Sequence, residues 1–294
     1  MAKGRLLAGI AVFFWGAAYV WGKITMTWLS PLETTTARFG FGALILILLL
    51  PFIKNTQKIY LKKHCLHYFL LGFIGITCFQ ALLFWAVHLT SAINVAVIMS
   101  LFPVFTIIVE ALVSQLLPNT HMIGAIIVAV AGASLAIISG DHENTENISY
   151  GWGNIIAVFA ALCFTFYTVA SRRWLPREIP SLVNTTIVVT IGAIFLLILT
   201  LCIDTIPKFP MSMTPVWTLI GLVIGSTVIA YICWTQAIAK TGVLEPNLIF
   251  NFTPLITMLL SSFHGISPTK LQVTGALLVI SGVTWGMLHP SRQE

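Results

Sequence analysis

Three side chains combine an ionisable head with an apolar setting: Lys23, Arg38 and Glu110. Each sits within an apolar run of about 20 residues, the length that crosses a bilayer. A charge there is costly, so it faces a cavity, a partner or the membrane surface. Lys23 and Arg38 each fall about five residues, roughly 7 Å, below one end of their runs at the helical rise. Either could snorkel to the headgroups. Arg38 is the better candidate for a solute or partner anion, because its planar fork matches carboxylate and phosphate. Glu110 lies about 10 Å from the opposite surface by the same rise. At that depth it is protonated and bonded to a neighbouring helix, paired, or facing a cavity. In the last case it is a candidate for coupling proton movement to solute movement.

Glu110 shares a helix face with Ser100, Pro103 and Ile107, since residues three or four apart are neighbours on a helix. A second such face follows later in Asn247, Asn251, Pro254, Met258 and Ser261. Proline removes a backbone bond and kinks a helix, so Pro103 and Pro254 are hinge candidates. Two interrupted, polar-faced spans in corresponding places point to a substrate pathway. Trp15, Trp85, Phe102, Phe164, Tyr167, Tyr231 and Trp234 lie deep in their runs. An aromatic-walled cavity suits a partly apolar or cationic solute. Gln80 and Tyr231 give matching polar points on two other runs. The candidate substrate-binding set is therefore Trp15, Arg38, Gln80, Phe102, Glu110, Phe164, Tyr167, Tyr231, Trp234 and Asn251. Trp28, Trp152 and Trp217 fall at run ends and read as interface residues. His88, His121 and His264 read as solvated or interfacial.

The elements that must position these residues are transmembrane helices. The chain is 58% hydrophobic and 8% charged, with mean hydropathy +0.97. A soluble domain carries about a quarter charged residues. The apolar runs are continuous rather than alternating, which excludes a β-barrel. They fall at roughly 6–28, 33–52, 66–88, 92–117, 121–139, 151–170, 181–203, 215–238, 244–263 and 270–288, ten in all. Ser30-Pro31-Leu32-Glu33 reads as a capping box opening the second helix. Thr214-Pro215 and Ser267-Pro268 read as comparable starts.

Orientation follows the Lys and Arg residues. With the N-terminus inside, eleven of the 15 basic residues fall on the inner side. Lys208 and Lys270 fall outside, and Lys23 and Arg38 lie within helices. Both termini are then cytoplasmic. The net charge of +6 thus reflects membrane orientation and not nucleic-acid binding. The basic loop from Lys54 to His64 suits the inner headgroups. The five cysteines have no metal-type spacing and read as packing residues.

The halves repeat. A shift of 151 pairs Ala86 with Ala237, Thr90 with Thr241, Pro103 with Pro254 and Gly124 with Gly275. A shift of 149 pairs Gly4 with Gly153, Ala8 with Ala157 and Val20 with Val169. Five helices is an odd number, so the second half, 146–294, lies upside down relative to the first, 1–145. That is the inverted-repeat plan of alternating-access transporters.

At these residues the chain resembles the EamA-type members of the drug/metabolite transporter superfamily. The resemblance rests on Trp15-Gly16, Arg38-Phe39, Ala86…Thr90-Ser91-Ala92 and Leu101-Phe102-Pro103-Val104-Phe105. The second half adds Phe164…Tyr167-Thr168-Val169, Tyr231…Trp234 and Phe252-Thr253-Pro254-Leu255, with Gly124 and Gly275 completing the order. It implies an all-α membrane protein of ten helices in two inverted five-helix repeats. It also implies movement of amino acids or other small metabolites, often outward. The family's Gly-Glu pair after each proline helix is replaced here by Ser114-Gln115 and Gly265-Ile266, which directs attention to Glu110.

No His-Glu-x-x-His, Gly-x-Ser-x-Gly, Walker or Gly-x-Gly-x-x-Gly motif is present, so the sequence reads as no enzyme and calls for no cofactor. Without a nucleotide site, transport is driven by a gradient or by exchange. The expectation is an inner-membrane secondary transporter of a small-molecule solute. Its partners are solute and lipid bilayer, with no nucleic acid. A homodimer is compatible with the sequence, which does not fix the oligomeric state. A nucleotide-like or cofactor exchanger, a passive channel and a non-transporting assembly partner are the alternatives.

Overall fold

In a computed structural model, the described residues are 2–52, 61–115, 120–140, 148–176, 178–203, 212–241 and 244–288. They form helices, with no β-strand among them. In order these are α1 (Ala2–Thr25), α2 (Pro31–Leu49), α3 (His64–Leu89), α4 (Ala92–Met99), α5 (Phe102–Ser114) and α6 (Thr120–Gly140). Then come α7 (Ile148–Trp174), α8 (Ser181–Ile203), α9 (Thr214–Thr241), α10 (Leu244–Phe250), α11 (Thr253–Phe263) and α12 (Lys270–Leu288). Eight of them are long and apolar enough to cross a membrane, and Ala92–Thr106, covering α4 and the start of α5, is a shorter apolar stretch. Large apolar side chains such as Leu48, Leu112, Leu201 and Phe263 point outward, while Thr34, Thr35, Ser226 and Thr227 are buried. That arrangement fits a lipid surround, where an exposed leucine costs nothing.

Two of the ten expected spans are not single helices. The stretch 92–117 is broken at Ser100 and Leu101, and 244–263 at Asn251 and Phe252. Pro103 and Pro254 sit in the first turns of α5 and α11. They start a second helix instead of kinking the middle of one. A proline is tolerated in the first turn, where its missing N–H has no partner to lose. The breaks themselves are tight turns. The Leu101 N–H bonds the Ile98 carbonyl at 3.0 Å, and the Phe252 N–H bonds the Ile249 carbonyl at 3.1 Å.

The capping box of α2 is present: Ser30 Oγ accepts from the Glu33 N–H at 3.1 Å, and Glu33 accepts from the Ser30 N–H at 2.7 Å. The start of α12 differs from the Ser267-Pro268 expectation. There Thr269 and Gln272 form the reciprocal box, at 3.1 and 2.9 Å, because a hydroxyl followed three residues later by an amide satisfies two orphan N–H groups. At Thr214-Pro215 the cap position falls to Met213, with no side-chain bond.

Elements pack in reciprocal pairs. Helix α1 lies on α9 as α7 lies on α3, and α1 meets α11 as α7 meets α5. The pairs α2–α8 and α6–α12 cross one another directly. The close approaches repeat too. Gly4 packs on Thr241, and a Cβ on Gly153 would sit 2.9 Å from Thr90 Cβ. These are the glycine and threonine pairs that the two sequence shifts match. Both α3 and α9 contain π-helical segments, Phe73–Cys78 and Gly221–Ile229. In each, a threonine hydroxyl fills a carbonyl five residues back: Thr77 to Gly72 at 3.3 Å, Thr227 to Leu222 at 3.2 Å. Such segments leave helical carbonyls free for other partners and concentrate at functional sites.

Candidate functional site

Between the paired helices lies a cavity of about 700 Å³, within the range of small-molecule sites. Its walls come from α1, α2, α3, α4, α5, α7, α8, α9 and α10. Trp15, Arg38, Gln80, Phe102, Phe164, Tyr167, Tyr231 and Trp234 all line it. Asn251 does not. It is fully buried at the break before α11, and neither its amide nitrogen nor its amide oxygen has a hydrogen-bond partner. Glu110 lies on α5, but its side chain is outside the described residues.

The rings form a continuous belt. Trp15 meets Trp234 at 4.9 Å between centroids, Phe250 at 5.7 Å and Tyr231 at 5.9 Å. Phe250 meets Phe102 at 5.0 Å, and Phe102 meets Phe164 at 5.1 Å. Phe164 stacks on Phe79 at 4.8 Å and lies 6.2 Å from Tyr167. Edge and offset contacts at these distances favour the rings beyond their burial. The belt joins residues of both halves of the chain.

Arg38 is 2% exposed. Its Nε donates to Thr227 Oγ1 at 3.1 Å, Nη1 to Gln80 Oε1 at 3.3 Å, and Nη2 to the Ser226 carbonyl at 3.4 Å. Its Cζ sits 4.9 Å from the Phe39 ring centre and 5.5 Å from that of Phe84. The Ser226 carbonyl also accepts from Trp15 Nε1 at 3.1 Å, so one π-segment carbonyl holds both a wall aromatic and the guanidinium. Among the described residues no carboxylate reaches this charge. Its polar partners are neutral, which orients the fork without cancelling it.

Lys23 does not snorkel outward. Its Nζ donates to the carbonyls of Val87, His88 and Thr90 at 2.7, 2.9 and 2.9 Å. It thereby caps the C-terminal end of α3, where unpaired carbonyls and the helix dipole favour a cation. At this same end Thr25 bonds Thr218 at 2.9 Å, Thr36 bonds Thr200 at 2.7 Å and Thr90 bonds Asn154 at 3.2 Å. At the other end the cavity wall reaches Leu175, Pro176 and Ile179 in the α7–α8 connection. Asn184 organises that mouth. Its Nδ2 donates to the Pro176 and Ile179 carbonyls at 3.1 and 3.4 Å, and its Oδ1 accepts from Tyr68.

Several wall residues carried no signal strong enough to single out in the sequence. Tyr19 and Phe84 follow Trp15 and Gln80 by four residues, so helical spacing from the known members could have found them. Asn184 could not be separated from ordinary polar residues near helix ends, whereas Asn247, on the polar face of the second interrupted span, does line the cavity. Among the described residues, no cluster of three His, Cys, Asp or Glu could hold a metal.

The EamA-like transporter family model matches residues 2–138 and again residues 151–287. The uncharacterized transporter YyaM of Bacillus subtilis (strain 168) is 32% identical over 95% of this chain and 91% of its own length. A probable terminal-alkyne amino-acid exporter of Streptantibioticus cattleyicolor is 23% identical over 73% of this chain and 70% of its own. A solved crystal structure at 18% identity superposes with a TM-score of 0.69, covering 98% of this chain and 97% of that one, which supports the fold. The chain belongs to the EamA-like transporter family. It is a multi-pass membrane protein of a family of transporters and not an enzyme.

Proposed function

We propose that this family member is a secondary transporter of amino acids or similarly sized metabolites, working by alternating access across an inner membrane. The observation that carries the reading is the cavity itself: aromatic-walled, holding one buried cation, and built between helices that pack reciprocally. It reaches the bundle surface at the α7–α8 connection, while Lys23 ties the opposite end. Ten spans in two inverted repeats, 1–145 and 146–294, are the organisation assigned. In their support, one family model matches each half, and the close contacts recur between halves. The placement of Lys and Arg supports cytoplasmic termini, which makes the cavity inward-facing here. Export is the assigned direction, supported by the amino-acid exporter among its relatives. Movement is driven by a gradient or by exchange.

Alternating access requires the two halves to rock about the cavity, with the breaks before Pro103 and Pro254 as bending points. The test is counterflow in proteoliposomes loaded with a mixture of unlabelled amino acids. Saturable uptake of labelled solute against its own gradient is expected. Unsaturable flux with no counterflow would replace this reading with a channel.

A further inference from the structure

We infer that the cavity selects amphipathic organic monoanions: solutes with one carboxylate docked on Arg38 and an aromatic or branched body against the ring belt. The inference rests on the transport reading and, within it, favours carboxylate metabolites of amino-acid size over zwitterionic amino acids.

The first observation is charge. Arg38 is the only charged residue on the described wall, and no carboxylate stands there with it. Of the nine acidic residues, only Glu33 and Glu178 have described side chains. Glu33 is spent on its cap, and neither lines the cavity. A buried guanidinium is retained when something supplies the opposite charge. Here that partner is assigned to the solute.

The second observation is geometry. Arginine carries five N–H donors. Three go to Thr227, Gln80 and the Ser226 carbonyl, from helices on two sides. The fork is therefore fixed, and donors remain for one acceptor group. A single carboxylate matches one positive charge, whereas a phosphate dianion would bring a second negative charge with no partner on the described wall.

The third observation is asymmetry. Most of the wall obeys the internal repeat. Trp15 corresponds to Phe164, Tyr19 to Thr168, Gln80 to Tyr231 and Met99 to Phe250, all of them lining residues. Arg38 does not. Gly42 and Gly192 occupy matching close contacts on α2 and α8, and the same offset places Val188 opposite Arg38. The first half therefore gives the described wall a cationic point beside the rings that has no counterpart from the second half. A solute with one anionic end and an apolar body fits both. On the described wall a zwitterion's ammonium meets only hydroxyls, amides and ring faces, and a cation meets Arg38 with no described carboxylate beside it.

The test titrates four ligands of one body into the purified full-length protein: hydrocinnamate, hydrocinnamamide, L-phenylalanine and phenethylamine. Hydrocinnamate should bind tightest, by about tenfold over its amide and over phenylalanine, with phenethylamine weakest. Arg38→Gln should erase the anion's advantage, and Arg38→Lys should keep part of it. The amide comparison needs only wild-type protein, so the inference stays exposed if Arg38→Gln does not fold. Amide binding equal to the acid, tighter phenylalanine binding, or no hydrocinnamate binding would each overturn it. Counterflow of the same ligands separates the two readings. Counterflow of phenylalanine but not hydrocinnamate removes the inference and leaves transport standing. Hydrocinnamate binding without counterflow of any ligand leaves the selectivity standing and removes transport.

Discussion

Two buried polar residues define what single side chains do in this molecule, and they behave in opposite ways. Arg38 has three partners and an unspent charge; Asn251 has no partner at all. A buried amide left unpaired costs about 1–3 kcal/mol. Asn251→Leu, similar in volume, should therefore raise the melting temperature of the purified protein by several degrees. A fall would show that the amide has a partner the hydrogen-bond pattern omits, such as an ordered water. Glu110→Gln belongs to the same scale. If Glu110 exchanges a proton as solute comes and goes, the amide fixes the neutral form, and net transport should lose its pH dependence while the protein folds normally. Curves of net transport against pH that run parallel for both proteins would remove the coupling role. The sequence made Arg38 and most of the deep aromatics legible because charge and ring size stand out in an apolar run, but Trp85 faces outward, 43% exposed and off the cavity wall. It misplaced Lys23, since snorkelling and capping a neighbouring helix need the same side chain at the same depth. Only tertiary placement of the α3 carbonyls separates them. Asn251 shares a helix face with wall residues on paper, but the turn at the break swings it out of register.

At the scale of elements, the bond from Lys23 to the end of α3 is the contact to break. It joins α1 to α3 at the end of the bundle away from the α7–α8 connection. Hydrogen bonds to a charged group contribute about 1.5–3 kcal/mol, and each 1.4 kcal/mol is roughly tenfold in an equilibrium. Lys23→Met should therefore raise the fraction open at that end by about tenfold or more. The readout is labelling of a cysteine placed at Ala18, on the cavity wall, by an impermeant thiol reagent in a cysteine-free background. An unchanged labelling rate would make Lys23 a cap and nothing more. The prolines give a second element-scale expectation. Pro103→Ala or Pro254→Ala supplies an N–H that can bridge the break, so turnover should slow more than binding weakens. Unchanged turnover in both variants would reduce them to packing features. The breaks were legible as interruptions from proline alone. That they divide each span into two helices was not, because a proline serves a first turn as readily as it kinks a middle.

For the whole molecule, the assigned topology places a reporter at residue 145 outside and reporters at 60, 175 and the C-terminus inside. An inside signal at 145 would end the inverted-repeat organisation. The continuous apolar runs made the helical fold legible in advance, and the repeat was legible through its coincident prolines and glycines. The reciprocal docking was not, since sequence shifts pair residues without saying which helices touch. The crossing of α6 and α12 shows what that docking implies for synthesis. The two helices approach so closely that a Cβ on Gly132 would sit 2.6 Å from the Gly275 carbonyl, and one on Gly282 would sit 2.8 Å from the Ala129 nitrogen. Yet α12 is the last described helix to leave the ribosome, and α6 is made long before it. Until residues 270–288 are made, the small-residue face of α6 lacks the helix that fills it most closely. A protein stopped before residue 270 should therefore insert its earlier helices and then be degraded within the membrane. Co-expression of a separate fragment carrying α12 should rescue it, and pulse–chase lifetimes with and without that fragment are the measurement.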